Sequence, residues 1–426
     1  MIDRLAAVGK TDFKSVFYGW DDTFYYLWLQ TPVVEGELDF RPGLNRTHSL
    51  SDEVKEKAFN DLTFEDGKIW NKYPIGWALM HAPGFLLAHA SVSIGNIFGA
   101  NWDVSGFGRI HQLFVTMNGY LYSVLGCLFV YLWLKKYLNR YYSIIALFYV
   151  LLSGSVFYYL FRQVSMAHHL VFFLVAAILY FSDQFDEKQS DHRIPMILGF
   201  LSGLLLLVRP QACIYLIYPL VVFLKNIRSP YFVKAVCLGC SIGIPVAALQ
   251  LFIYKIYFGS FFTYSYGEEG FNWLKPNLWE VLFSPLNGAF YWHPVLLVGL
   301  LSCIWLAGAA RDHSYPKWSP LFMFALVLWL NAAWWCWWYG ASFGNRSFEG
   351  VHIFCALWIG LALRKVDTSK FLLGSYSLRA LLLILCVWNG LLILGPRYWK
   401  VTGICKEQSV TYSEMLNGIG TLLGVN

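Results

Sequence analysis

Charged residues are scarce in this 426-residue chain. Only 14% of the residues are Asp, Glu, Lys or Arg, whereas 57% are hydrophobic and 19% are aromatic. Soluble domains carry about 25% charged residues, so the scarcity excludes a soluble enzyme with a single membrane anchor. The composition indicates a polytopic membrane protein. Its net charge of +6 is better explained by loop charge that sets topology than by nucleic-acid binding, and we expect no nucleic-acid partner.

The sequence also offers little support for a disulfide framework or a separate soluble domain. Eight of its nine cysteines lie in or beside apolar segments, where they are typical small packing residues. Cys237 and Cys240 have a C-x-x-C spacing, but they lie inside the apolar run VCLGCSIGIPVAAL, where a zinc or redox site would lack solvent and further ligands. No low-complexity segment and no clear internal repeat is visible in the sequence.

Long apolar runs are the dominant feature of the sequence. Runs of about 20 residues match the thickness of a bilayer. The tract 194–224 is divided in two because Arg209 and Pro210 interrupt it, and a charge and a proline are both unfavourable inside a spanning helix. The predicted spans are 113–134, 141–161, 166–182, 194–208, 210–224, 231–257, 292–310, 319–338, 347–363 and 377–396.

The segment Tyr73–Phe98 is apolar enough to span as well. A span there would invert the charge pattern of every later loop, and Pro74, Pro83 and Gly84 interrupt the run. We therefore predict that this segment forms helices lying at the outer interface.

Positive charge divides the loops into two sets. The loops 135–140, 183–193, 225–234, 311–318 and 364–379 hold 14 Lys or Arg, and the opposing loops hold 4. By the positive-inside rule the first set is predicted to be cytoplasmic. The chain then divides into an N-terminal segment and first external loop with the acidic pair (1–112), a transmembrane bundle (113–396) and a short external tail (397–426).

The start of the chain does not explain how it reaches the outer face. Residues 1–19 contain no apolar run of spanning length and no signal-peptide core. Either the start is translocated unaided or a preceding helix is missing from this chain, and we expect the second.

Asp21 and Asp22 are the first candidate site residues. They lie among aromatics in FYGWDDTFYY, and a second acidic group follows at Glu35, Glu37 and Asp39. A pair of aspartates is typical of a helix start, because Asp caps the N-terminus and suits the dipole there. The functional interpretation is a general base or a metal ligand at the boundary between water and membrane.

Further candidates lie on the same predicted side. Lone cations beside apolar helix ends can snorkel to lipid headgroups, or they can bind a phosphate. Tryptophans can form an interfacial belt, or they can stack on sugar rings. The cations are Lys72, Arg162, Arg209 and Arg346, and the other candidates are His168, Glu268, Glu269, Trp334, Trp337 and Asn345.

Taken together, these motifs resemble the integral-membrane glycosyltransferases of the GT-C fold. The resemblance is greatest to the bacterial branch related to dolichyl-phosphate-mannose–protein mannosyltransferases, which is glycosyltransferase family 39-like. The ordered set is specific for the superfamily but not for the sugar or the acceptor. From about residue 19 to 363 it reads WDDTFY, EGELDF, KYPIGWALMHAPGFLLAHA, SMAHHLVFFLVAAILY, VRPQ, FNWL with EVLFS, and WW with SFGNR.

The resemblance implies an all-α polytopic fold and a reaction. The bundle would have about 10 transmembrane helices here, or 11 with the preceding helix that family members have, and a large first external loop carrying interfacial helices. A hexose or pentose would move, with inversion, from a polyprenyl-phosphate donor to a hydroxyl of a glycan, lipid or protein outside the cytoplasmic membrane. No cofactor is certain, and a requirement for a divalent cation stays open.

The same resemblance assigns roles to the candidate residues. Asp21 matches the first acid of the family's pair and would be the base, and Asp22 matches the second and would orient the loop or hold a metal. The four cations would bind the donor phosphate. The remaining candidates would contact substrate.

A different function class is the main alternative. A transporter or a flippase for lipid-linked sugars would place charges mid-membrane and often shows repeated halves. The sequence shows neither feature convincingly. A catalytically inactive scaffold is a third alternative, which the missing first helix keeps open.

Overall fold

A computed structural model describes residues 17, 19–47, 50–63, 67–187, 191–309, 319–340, 342–369, 372–394 and 409–423. The described residues are 74% helical, and these ranges contain no β-strand. The α-helices in chain order are α1 Trp20–Gln30, α2 Arg41–Arg46, α3 Asp52–Asp61, α4 Gly76–Ile97, α5 Arg109–Leu134, α6 Arg140–Ser153, α7 His168–Glu187, α8 Arg193–Val208, α9 Ile217–Lys225, α10 Phe232–Phe258, α11 Leu278–Phe283, α12 Ala289–Trp292, α13 Val295–Ala309, α14 Ser319–Ala333, α15 Glu349–Thr368, α16 Leu372–Leu394 and α17 Tyr412–Leu423.

The all-α polytopic architecture predicted from the sequence is confirmed. Six helices in the described ranges are long and apolar enough to cross a membrane: α4, α5, α7, α10, α15 and α16. Shorter apolar helices, among them α6, α8, α13 and α14, lie between them. The predicted count of ten spans stays a prediction, because length and composition alone do not place a helix across the bilayer.

The predicted break in the tract 194–224 is present. Helix α8 ends at Val208, Arg209 has an extended backbone, and a 3₁₀ turn (Pro210–Leu216) leads into α9. Proline at the start of the turn costs no hydrogen bond, because the N–H it lacks would have no helical partner there. The break places a cation at the end of a buried helix.

The predicted interruption of Tyr73–Phe98 is wrong. Gly76–Ile97 is one continuous helix that includes Pro83. A Cβ on Gly84 would lie 2.9 Å from the Phe114 carbonyl oxygen of α5, so this glycine permits close helix packing rather than breaking the helix. The helix is long enough to span, and its predicted place at the outer interface stays a prediction.

Helices α7 and α15 form the centre of the bundle. They are the most enclosed of the six long apolar helices, whereas α10 has few buried residues. Helix α10 packs along α8 through glycines on both helices: a Cβ on Gly199 would lie 2.1 Å from the carbonyl oxygen of Gly239. Small residues at such an interface let two backbones approach closely.

The second acidic group of the sequence organises the first loop. Glu35 pairs with Arg46 at 2.7 Å, and the Asp39 carboxylate accepts a hydrogen bond from the backbone N–H of Ile69 at 2.9 Å. These contacts fold the loop onto itself. They do not join the group to Asp21.

Some predictions concern residues outside the described ranges. They include those for most of the N-terminal segment, for the loop 311–318 and for the start of the tail. Within the tail, Tyr412 of α17 stacks on Tyr291 with ring centroids 4.2 Å apart, so the described end of the chain packs on the helical body.

Candidate active site

The two adjacent aspartates have different surroundings. The Asp22 side chain is fully buried and accepts hydrogen bonds from the Gly19 backbone N–H at 2.8 Å and from the Ser165 hydroxyl at 2.9 Å. Thr23 donates its hydroxyl to the Gly19 carbonyl at 2.7 Å. Asp22 therefore closes the first turn of α1 and ties it to the segment before α7, as a carboxylate at a helix N-terminus is expected to do.

Asp21 instead points to residues from distant parts of the chain. One carboxylate oxygen lies 2.6 Å from Nη2 of Arg346, and the other accepts a hydrogen bond from the Tyr73 hydroxyl at 2.5 Å. Burial by itself raises the pKa of Asp21, but Arg346 and the Tyr73 hydroxyl outweigh it and hold the pKa below its ordinary value. Asp21 is thus a partly accessible, ionised carboxylate.

A tight turn before α15 positions Arg346. Tyr339, Gly340 and Gly344 all have positive φ, and a Cβ on Gly344 would lie 2.3 Å from the His293 ring, so only glycine fits there. The Asn345 side chain accepts a hydrogen bond from the Ser347 backbone N–H and caps the short 3₁₀ turn Arg346–Phe348. The turn, which lies before the first residue of α15, directs the guanidinium toward Asp21.

Lys72 forms a second cationic position beside the first. Its ammonium pairs with Glu269 and lies over the rings of Tyr73 and Tyr266, at 5.5 and 5.4 Å from their centroids. The face of an aromatic ring attracts a cation, and this attraction is stronger when the cation is partly removed from solvent. Tyr73 also donates to Asp21, so this tyrosine contacts both Lys72 and the Asp21–Arg346 pair.

Arg209 is the third cation of the site. Its Nη1 lies 3.0 Å from Oε1 of Glu349 and 2.9 Å from Nδ1 of His168, and its Nη2 lies 3.4 Å from the Ser347 hydroxyl. All four side chains are buried. A buried charge needs such partners, and the extended backbone between α8 and its following turn allows Arg209 to reach them.

Close packing and shared electrostatics join Arg209 to the other two cations. Gly76 at the start of α4 lies against Leu207 at the end of α8, where a Cβ would be 2.3 Å from the Leu207 carbonyl carbon. Burial raises the pKa of Tyr25, Asp21 raises it further, and Arg209 and Arg346 oppose them. The Tyr25 hydroxyl is therefore within electrostatic reach of Asp21, Arg209 and Arg346.

The remaining predicted residues have different surroundings. Glu268 is exposed, and Arg162 lies in the π-helical turn Tyr158–Arg162. Trp334 packs on Tyr266 at 5.9 Å, and the backbone carbonyl of Trp337 accepts from Asn345 at 3.2 Å. The tryptophans thus flank the site, and Asn345 supports the turn.

Sequence reasoning missed Glu349 and Tyr73. Glu349 is the carboxylate that holds both Arg209 and His168, and its only sequence signal is that it opens an apolar helix three positions after Arg346. Tyr73 follows Lys72 directly. Neither has a spacing that predicts its partner, because the contacts join residues 140 and 52 positions apart.

Metal ligation was left open by the sequence. In the part of the chain that the structure describes, no group of three or more His, Cys, Asp or Glu side chains is placed to hold a metal ion. The Asp22 carboxylate is engaged by Gly19 and Ser165, so we derive no step through a metal.

Comparison with solved structures identifies the fold. ArnT from Cupriavidus metallidurans aligns over 99% of this chain and 75% of its own length, with TM-score 0.51 and 12% identity in the apo state. The same protein bound to undecaprenyl phosphate gives TM-score 0.50 at 11% identity, with the same coverage. The chain has the GT-C fold.

The shared fold does not place the chain in a sequence family. The archaeal oligosaccharyltransferase AglB from Archaeoglobus fulgidus, in complex with an inhibitory peptide and a dolichol-phosphate, aligns over 92% of this chain at 12% identity and TM-score 0.45. The chain spans about half of that protein's length, 54%. No family model matches the sequence, and no curated protein matches it significantly.

Proposed function

We propose that this protein transfers a sugar from a polyprenyl-phosphate-linked donor to an acceptor hydroxyl, with inversion. The observation that carries the proposal is the contact of Asp21 with Arg346 and Tyr73 at one end of a GT-C bundle, beside two further cations. A carboxylate among cations at a membrane-embedded site has the parts that the reaction needs. The carboxylate supplies a base for the acceptor, and the cations supply positive charge for the leaving phosphate.

Three cations are suited to the donor phosphate. Arg346, Lys72 and Arg209 come from three different parts of the chain, and each is partly or fully buried beside aromatic or polar groups. Charge-assisted hydrogen bonds to phosphate are strong in such surroundings. The complex of ArnT with undecaprenyl phosphate supports a lipid phosphate as the ligand of this fold. Arg162 is a fourth proposed contact.

The proposed chemistry is a single displacement. The acceptor oxygen attacks the anomeric carbon on the face opposite the phosphate, the carbon–oxygen bond to phosphate breaks, and polyprenyl phosphate leaves with the bonding electrons. The acceptor proton passes to Asp21. The lowered pKa keeps Asp21 ionised at neutral pH, and its ion pair with Arg346 weakens when the phosphate competes for the guanidinium.

We propose that the acceptor binds to aromatic and acidic side chains beside the cations, because tryptophan faces and carboxylates are suited to sugar rings and hydroxyls. These side chains are Trp334, Trp337, Glu268 and Glu269. Asp22 is proposed to orient the loop, and His168 to support Arg209. A glycan, a lipid and a protein stay as acceptor classes. We place the reaction at the external face of the cytoplasmic membrane, on the loop-charge pattern.

Arg346→Ala tests the donor half of the proposal. Undecaprenyl phosphate binding to the protein in nanodiscs should weaken at least about tenfold, because a charge-assisted contact is lost. Arg379→Ala is the control, since that arginine pairs with Asp367 at the other end of the bundle at 2.7 Å. Equal affinity of wild type and Arg346→Ala would remove Arg346 from the donor site.

A further inference from the structure

A small cavity lies beside Arg209 and Glu349. Its polar wall consists of Arg209, Gln211, Tyr215, Asn331, Ser347 and Glu349. Its apolar wall includes Val327 and Leu330 of α14. Ser347 directly follows Arg346, and Arg209 both lines the cavity and is one of the three proposed phosphate-binding cations. The cavity therefore adjoins the proposed phosphate position.

Three buried polar atoms of this wall have no partner in the described part of the chain: Oε2 of Glu349, Nδ2 of Asn331 and the Tyr215 hydroxyl. Glu349 is only 4% and Asn331 only 2% exposed. The other polar atoms of these two side chains are engaged, by Arg209 and by the Tyr339 hydroxyl. Buried donors and acceptors are nearly always paired in native proteins, so a group in the cavity that both donates and accepts would satisfy these atoms.

The polar atoms of the cavity limit which chemical group this is. Arg209 and Glu349 lie 3.0 Å apart and neutralise each other. An ionised carboxylate has no proton to donate to Glu349, and an ammonium has no lone pair with which to accept from Asn331. A hydroxyl donates one hydrogen bond and accepts others, so it matches a carboxylate oxygen and an amide N–H together.

We propose that this cavity recognises one hydroxyl of the transferred sugar and so selects neutral sugars over uronates and amino sugars. The inference rests on the proposed function, because the sugar enters the cavity only when its phosphate lies at Arg209 and Arg346. Asn331 and Glu349 are the specificity residues. Val327 and Leu330 limit the space, so the cavity receives a substituent and not the ring.

Binding of a lipid panel in nanodiscs tests the proposal. The probes are undecaprenyl phosphate alone and the same lipid phosphate carrying glucose, mannose, galactose, glucuronate or an amino-deoxy hexose. In the wild type at least one neutral hexose should raise affinity about tenfold over the bare lipid phosphate, and the charged sugars should not.

Two variants assign that gain to the cavity. Asn331→Asp keeps the acceptor for Tyr339 but replaces the free donor by an acceptor, and Val327→Leu fills the space from the apolar wall. Both should abolish the gain from the sugar while leaving the affinity for undecaprenyl phosphate within about twofold. Asn101→Asp adds the same charge in an exposed loop and should keep the gain. Val327→Leu decides the matter if Asn331→Asp does not fold.

The outcomes separate this inference from the proposed function. If the wild type binds undecaprenyl phosphate but gains nothing from any neutral hexose, the cavity does not recognise sugar. A gain that survives in both variants, or a preference for a charged sugar, overturns the inference as well. Failure of the wild type to bind undecaprenyl phosphate contradicts the proposed function itself.

Discussion

At the scale of single residues, Asp21 and Asp22 show how adjacent identical side chains acquire different roles. Successive residues on a helix point about 100° apart, so one carboxylate turns inward while its neighbour faces the site. Asp22 is fully buried and bonded to Gly19 and Ser165, whereas Asp21 keeps 26% of its side chain accessible and meets Arg346. The geometry thus supports loop orientation for Asp22 and proton transfer for Asp21.

Asp22→Ala should therefore act on stability. It removes the acceptor for the Gly19 N–H and leaves the Ser165 hydroxyl without its partner, which costs about 1–3 kcal/mol for buried groups. A lower midpoint of thermal unfolding in detergent would be the readout. Glu268→Ala, at an exposed position, is the control, and an unchanged midpoint for Asp22→Ala would show that these contacts do not hold the loop.

At the scale of elements, glycines decide how closely the helices approach. The start of α4 reaches the end of α8 through Gly76, and α8 reaches α10 through Gly199, Gly203, Gly239 and Gly243. The first contact brings Lys72 and Tyr73 toward Arg209. The site therefore depends on close backbone contacts between helices.

Gly199→Ala tests this dependence. Its Cβ would lie 2.1 Å from the Gly239 carbonyl oxygen, so α8 and α10 must separate, and overpacking of this kind costs about 1–3 kcal/mol. The thermal midpoint should fall. Gly390→Ala is matched to it, because a Cβ there meets no atom within 4 Å, and this variant should be as stable as the wild type. Equal midpoints for both variants would contradict the packing argument.

The same elements show what sequence patterns can and cannot predict. The break at Arg209–Pro210 was predictable because proline acts locally on the backbone. The continuity of α4 through Pro83 was not, since it depends on packing against α5. The ion pair of Arg209 with Glu349 joins residues 140 positions apart, and a single sequence carries no signal for such a pair.

At the scale of the whole molecule, the bundle has two different polar ends. Helix α7 begins at His168 in the candidate site and ends beyond Asp183, and α15 begins at Glu349 and ends beyond Asp367. The far end is held by structural contacts: the Tyr137 hydroxyl donates to Asp183 at 2.6 Å, and Arg379 pairs with Asp367. The contacts place the site at one end, and loop charge predicts that this end is external.

Cysteine labelling tests that orientation. Single cysteines at Lys135 and Lys275, introduced into a chain without its native cysteines, should react differently with a membrane-impermeant maleimide on intact cells. Lys275 should label and Lys135 should label only after permeabilisation, because the cytoplasmic loops hold most of the positive charge. Labelling of Lys135 on intact cells would reverse the predicted orientation.

The central claim, that Asp21 is the base of a sugar transfer, is tested most directly by the turnover of Asp21→Asn. The amide still accepts from Tyr73 but has no basicity, and a positioned base is worth about 10² to 10⁴ in rate. In nanodiscs, with the donor and acceptor that the wild type uses fastest, turnover should fall at least about a hundredfold, while donor affinity stays near that of the wild type and Asp22→Asn loses less. Near-full turnover of Asp21→Asn would contradict the account and make Glu268 and Glu269 the next candidates.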